Sequence, residues 1–390
     1  MCIRDRLICF HNYSFGQVAG APYIVNAVPN PIMGSFTTSS ATINSGGSAS
    51  ITPVFTQGAA TIDNGVGSVV SGNSYSVSPT VTTTYTLTVT NSIGKSVTQT
   101  LTIYVNSVVI NTQPSSATVN VNSYNTLTVA ATGAGILSYQ WYDTNGSLSG
   151  YVSDTYRSNT AGSFYVVVTS TLNGLTTSVT SNTATVTHNS VAITTQPTNG
   201  MFGTGGAYQI AVVGTGSGSL SYQWYKGSSA ITGATSSTYS ATVEDAYYVE
   251  VTSTLNGVAN TLRSNGIYIT ENKVRITSGP SDAYVTSGYT TSLIPTFSYN
   301  SGASLSYQWY NGSGAISGET NSMLTTGTAG TYYIVITSQL NGTTGVATST
   351  SATITVVPAP VATSLTPGSS TIALGSSTTL TPVFSNGCLL

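Results

Sequence analysis

The chain has 390 residues, and charged side chains make up 5% of it, against about 25% in an ordinary soluble domain. A formal net charge of −2 with no Lys/Arg cluster leaves no electrostatic footprint for nucleic acid, and no apolar run reaches the roughly 18 residues needed to span a membrane. Polarity comes instead from Thr, Ser, Asn and Gly, with 25 tyrosines. Thr, Val and Tyr favour pleated strands while Gly and Asn favour turns, so the expectation is an all-β protein of two to four domains.

The chain opens with MCIRDR (1–6) and closes with Cys388-Leu389-Leu390. Both read as translations of one sequencing-library adapter, in opposite orientations, and are expected to be artefacts (1–6 and 388–390). That sets aside Cys2 and Cys388 and leaves Cys9 alone, so cysteine usage reveals neither a disulfide framework nor a compartment. Residues 7–29 are expected to be the tail of a preceding domain.

Residues 30–106 form a first repeat, A, of strands punctuated by Gly and Asn. Three repeats of a second kind follow: B1 (107–189), B2 (190–272) and B3 (273–357). Their mark is SYQWY at Trp141, Trp224 and Trp309, the three tryptophans of the chain, spaced 83 and 85 residues apart. An aromatic follows each Trp by 23 residues (Phe164, Tyr247, Tyr332), and an Asn-Gly pair follows by 32 (Asn173-Gly174, Asn256-Gly257, Asn341-Gly342). Asn-Gly supplies the positive φ angles of a type I′ turn, so each pair predicts a hairpin. After VVPAPVATS, residues 358–387 repeat the opening of A, with TLTPVFSNG echoing SITPVFTQG. Lacking most of a sandwich, this segment is expected to be disordered or misdocked. The joints HNSVAITTQP and ENKVRITSGP are short, which favours an elongated, semi-rigid rod.

These repeats resemble the bacterial immunoglobulin-like domains of extracellular and cell-surface proteins. The resemblance implies tandem β-sandwiches in which Trp141, Trp224 and Trp309 sit inward on strand C, and Phe164, Tyr247 and Tyr332 enter strand F at a tyrosine corner. Phe164 lacks the hydroxyl that corner uses, and the second copy reads Glu244-Asp245-Ala246-Tyr247 without its glycine. The cysteine pair of antibody domains is replaced by Val166, Val249 and Ile334 on strand F and by Val129 and Val212 on strand B. Location outside the cell follows from the resemblance alone.

No catalytic, metal or cofactor site emerges. His11 lies in the N-terminal tail and His188 at a joint, expected to be solvated. Acidic residues are sparse and unrepeated, Glu244-Asp245 being the densest pair. Lys95, Lys226 and Lys273 occupy unrelated positions, and GTGSGS (214–219) reads as a loop before a strand. With Trp inward, Gln140, Tyr142, Gln223, Tyr225, Gln308 and Tyr310 point outward, joined by Tyr165, Tyr248 and Tyr333 from strand F. Such a face suits contact with surface glycans or proteins. Cross-strand tyrosines also simply stabilise an exposed sheet face, by about 0.2–1 kcal/mol per pair, and the bare sequence favours that plainer role. The expected function is a non-enzymatic structural or adhesive stalk, with no sign of an oligomer. Alternatives are an accessory spacer of a large secreted carbohydrate-active enzyme and a decorative domain set on a phage virion.

Overall fold

The computed structural model describes residues 6–7, 25–367 and 371–385. Cys2, Cys9, His11 and all of 388–390 fall outside these, as do most residues of the 1–6 and 7–29 segments. The described residues contain strands and no helix, as composition predicts. The strands build tandem β-sandwiches around four hydrophobic cores, two in the compact unit Met1–His188 and two in the compact unit Asn189–Leu390.

In B1 the larger sheet runs in the order Ala117–Asn120, Ala184–Asn189, Gly162–Leu172, Ile136–Asp143, Gly146–Ser147. Leu175–Thr180 pairs with the far half of Gly162–Leu172. The opposite layer pairs Val108–Thr112 with Ala130–Gly133 and Asn125–Thr128 with Thr155–Ser158. B2 and B3 repeat this order strand for strand. Strict alternation drives the layering: Phe164, Val166 and Val168 are buried while Tyr165 and Val167 face outward. Val129 and Val166, standing in for the antibody cysteines, share one core.

The final strand of each B repeat comes in two pieces because a serine interrupts it. Ser181 Oγ accepts the Val166 N–H at 3.0 Å, and Ser264 and Ser349 do the same for Val249 and Ile334. The hydroxyl supplies the acceptor that the ladder omits, so no buried N–H is orphaned. Each Asn-Gly pair closes the predicted hairpin, with φ of 51° and 82° at Asn173 and Gly174 and near-identical values in B2 and B3.

The GTGSGS segment is not all loop: Gly214 and Gly216 lie in strand Val213–Gly216. A Cβ on Gly216 would come within 2.6 Å of Ser253 Oγ, so glycine is what lets this strand lie close over its neighbour.

The A sandwich places Thr42–Asn44, Ser96–Asn106, Thr83–Thr90, Ala59–Ile62 and Gly67–Val69 in one sheet and Ile32–Thr38, Ala49–Thr56 and Tyr75–Val77 in the other. It has no tryptophan. Ile62, paired with Leu87, takes the place that Trp141 takes opposite Val166.

Residues 361–367 and 371–385 are not without structure. Val361–Pro367 and Leu380–Ser385 form an antiparallel hairpin with the same bulge as Ile32–Thr38 and Ala49–Thr56 in A. Local pairing suffices for a hairpin but not for a core. Leu365, Leu380 and Phe384 are more than half exposed, where their counterparts Phe36, Ile51 and Phe55 are buried.

Candidate functional site: the tyrosine face and the repeat joints

Trp141, Trp224 and Trp309 are fully buried. Each indole N–H donates at 2.9 Å to a backbone carbonyl, of Ser153, Ser236 and Asn321 respectively, so no polar atom is left unpaired beneath the ring. Phe164, Tyr247 and Tyr332 are also buried beside them. The Tyr247 hydroxyl donates to Val243 O at 2.8 Å and that of Tyr332 to Thr328 O at 2.9 Å. The corner bond therefore forms in B2 without the glycine. Burial is the main reason the Tyr247 phenol lies above its ordinary range.

On the opposite face of the same strands, Tyr142 stands directly across from Tyr165, Tyr225 from Tyr248 and Tyr310 from Tyr333. The rings lie parallel, with centroids 5.0, 4.6 and 5.0 Å apart. The B1 and B3 pairs are half-buried. In B2 the pair is capped, which corrects the expectation of a solvent-facing Tyr248. Arg263 lies over the Tyr248 ring, 3.4 Å from its centroid, leaving Tyr248 buried. Tyr225 donates its hydroxyl to Glu250 at 3.0 Å, and that bond, with burial, raises its pKa. B1 and B3 carry threonines, Thr180 and Thr348, where B2 has Arg263.

The glutamines depart further from expectation. Gln140 Nε2 donates both to Trp141 O at 2.9 Å and to Leu148 O at 2.7 Å, and Gln223 and Gln308 repeat the pattern. Their amide hydrogens tie the Trp strand to the following hairpin instead of facing a ligand. The sequence places them on the outer face but does not show that the hairpin carbonyls lie within reach.

The other singled-out groups are accounted for locally. Glu244 accepts a hydrogen bond from Lys273 Nζ, which also lies 3.4 Å from Glu271. Those contacts, the Glu244 bond first, hold the Lys273 pKa above its ordinary range. Among the described residues no three His, Cys, Asp or Glu side chains converge to hold a metal. His188 is half-buried rather than solvated, and its Nε2 is enclosed without a hydrogen-bond partner.

Sequence reasoning missed the asparagines that end the repeats. Asn106, the last residue of Ser96–Asn106, is fully buried against B1. Its Nδ2 donates to Ser170 O at 3.0 Å and Leu175 O at 2.8 Å, while Ser170 Oγ donates back to Asn106 Oδ1 at 2.7 Å. In the second unit Asn189 makes the same three bonds with Ser253 and Val258, and Asn272 makes them with Ser338 and Thr343. The signal was present as Asn recurring at the domain period within the joint sequences. Its partners lie 64 to 71 residues away, beyond any local pattern.

Paired sheets, a fully buried tryptophan on one strand and a buried aromatic on its neighbour define an immunoglobulin-like sandwich, and the chain is a tandem array of them. No protein-family model matches the sequence, and no curated protein does. Among solved structures, a mutated titin I67–I69 segment is 14% identical, covering 64% of this chain and 98% of that one, with a TM-score of 0.41. Sidekick-1 immunoglobulin domains 1–5 are 16% identical over 84% of this chain and 81% of that one, with a TM-score of 0.30. Three N-terminal domains of the bacteriophage RB49 outer capsid protein Hoc are 19% identical over 65% and 99%, with a TM-score of 0.30. Among the described residues no helix is long and apolar enough to cross a membrane.

Proposed function

We propose that this array is a non-enzymatic structural and adhesive repeat region, a stalk, of a bacterial secreted or cell-surface protein, divided into repeats at 106/107, 189/190, 272/273 and 357/358. The observation that carries the reading is the stacked tyrosine pair, built three times at one place on the Trp-bearing sheet. Core packing does not require it, since the rings lie on the face away from the tryptophan. The half-exposed pairs Tyr142–Tyr165 and Tyr310–Tyr333 offer phenol edges and hydroxyls on an uncharged surface, chemistry suited to surface glycans or to a protein partner. The capped Tyr225–Tyr248 pair is held by Glu250 and Arg263 and contributes little contact.

The test is binding of the full chain to a glycan array and to cell-surface protein extracts. Replacing Tyr142, Tyr165, Tyr310 and Tyr333 with Ser is expected to abolish binding, while Tyr225→Ser leaves it nearly unchanged. Undiminished binding by the fourfold variant would remove the tyrosine face from the proposal.

A further inference from the structure

The joints use two chemistries, and they sort with the kind of repeat that follows. A repeat that precedes a B repeat ends in asparagine. Its carboxamide enters a receptor made of one serine hydroxyl and two carbonyls at the base of the next Asn-Gly hairpin, and all three groups are satisfied. Buried and fully paired, such a group is costly to break, because removing one partner strands the others. Flanking bonds reinforce it in each unit. At the A–B1 joint, Asn44 Nδ2 donates to Thr176 O at 3.1 Å and Asn173 Nδ2 to Thr42 Oγ1 at 3.1 Å. At the B2–B3 joint, Thr204 N donates to Thr344 O at 3.1 Å and Val346 N to Thr204 Oγ1 at 3.1 Å.

B3 ends differently. Val357 occupies the position of Asn106: Ser287 N donates to Val357 O at 2.8 Å as Ser45 N donates to Asn106 O at 2.9 Å. Val357-Pro358 then leads into a hairpin of the A kind, just as Val28-Pro29 leads into repeat A. Repeat A has no serine receptor. Asn91 stands as far beyond Tyr85 as Ser170 stands beyond Phe164, and it is buried. Its Nδ2 donates to Pro29 O at 2.9 Å, while its Oδ1 accepts the N–H groups of Ile93 and Lys95. In A the receptor therefore carries the donor, and the incoming chain supplies a backbone carbonyl.

We propose that the last residue of a repeat and the receptor of the next form a joint code. An asparagine end fits a B repeat and couples the two sandwiches. A Val-Pro end fits an A repeat, whose asparagine takes the proline carbonyl. The code restricts which kinds of repeat can follow one another and makes A–B1 and B2–B3 coupled pairs. Asn272→Val recreates the B3 ending in front of a B receptor, and is therefore mismatched.

Hydrogen exchange on the full chain tests this, read at Thr204 and Val346 (joint) and at Val335 and Ile336 (B3 core strand). Asn272→Val is expected to speed exchange at the joint amides by about tenfold or more and leave the core amides unchanged. Ser338→Ala, which removes one donor and keeps the asparagine, is expected to give a smaller change at the same amides. Unchanged joint exchange in both variants would overturn the proposal, as would loss of core protection in step with the joint in Ser338→Ala. Should Asn272→Val unfold B3 outright, the Ser338→Ala result alone decides.

Discussion

One phenol oxygen separates the strand-entry aromatic of B1 from those of B2 and B3, and the neighbouring residue compensates. Tyr247 and Tyr332 donate to the carbonyl four residues before them. Phe164 cannot, but Thr160 O at the same place accepts a hydrogen bond from Ser158 Oγ at 3.0 Å, and Ser158 is buried. B2 has Ala241 where B1 has Ser158. The same acceptor is thus served by a hydroxyl from either side. Ser158→Ala should destabilise B1 by about 1 kcal/mol, since it removes a part-buried hydrogen bond. Adding Phe164→Tyr to it should recover most of that loss by recreating the B2 pairing. A double-mutant cycle in urea, followed by exchange from strand Gly162–Leu172, measures the coupling. Additive effects would show that the two hydroxyls serve different acceptors. Tyr332→Phe in B3, where Thr326 holds the Ser158 position and its Oγ1 accepts the Thr328 N–H at 3.2 Å, should cost less than about 1 kcal/mol, because that hydroxyl can turn to Thr328 O.

At the scale of elements, glycine acts in two distinct ways that position alone does not separate. Gly257 in its turn has φ +80° and open space where a Cβ would go, so Gly257→Ala costs conformational energy alone, about 1 kcal/mol. Gly218, before the Trp strand, has ordinary φ, but a Cβ there would lie 2.0 Å from Thr254 O. Gly218→Ala must displace backbone and is expected to cost more, about 2–3 kcal/mol. B3 shows how the constraint is lifted. It carries Ala303 at the equivalent place, and the segment between strand Thr296–Tyr299 and Ser304 is longer than that between Val213–Gly216 and Ser219. Urea midpoints for the two variants rank the effects, and a smaller loss in Gly218→Ala would refute the clash. These elements also show what the sequence made legible. The Trp strands, the Asn-Gly hairpins and the facing tyrosines follow from periods of two residues and one turn type. The bonding of Gln140 to the following hairpin and the Asn106 joint did not, because the first depends on the strand's hairpin geometry and the second on carbonyls that only the assembled fold brings near. The capping of Tyr248 was hidden likewise: Arg263 reaches it from a strand whose register the Asn-Gly turn sets.

At the scale of the whole molecule, sparse charge makes proton linkage unusually easy to read. The phenols of Tyr85, Tyr247 and Tyr307 are raised above their ordinary range chiefly by burial, and that of Tyr225 chiefly by its bond to Glu250. Lys273 is raised by Glu244 first and Glu271 after it. All five shifts have the same sign. A group with a raised pKa in the folded state holds its proton more tightly there than in the unfolded chain. Its contribution is complete below the unfolded value, about 10 for tyrosine and 10.4 for lysine, and is lost as pH climbs through the folded value. Stability should therefore be level up to about pH 9 and fall steeply above about pH 10, as the unfolded state releases protons that the native state retains. The raised groups lie in A, B2 and B3, and exchange protection in those sandwiches reads the alkaline loss. Glu250→Ala removes the acceptor that raises Tyr225, so its phenol should ionise at lower pH in a tyrosinate absorbance titration. Lys273→Gln should blunt the alkaline fall in B2 and B3 but not in A. An alkaline fall unchanged in both variants would mean that general ionisation of the 25 tyrosines, and not these buried and bonded groups, sets the limit.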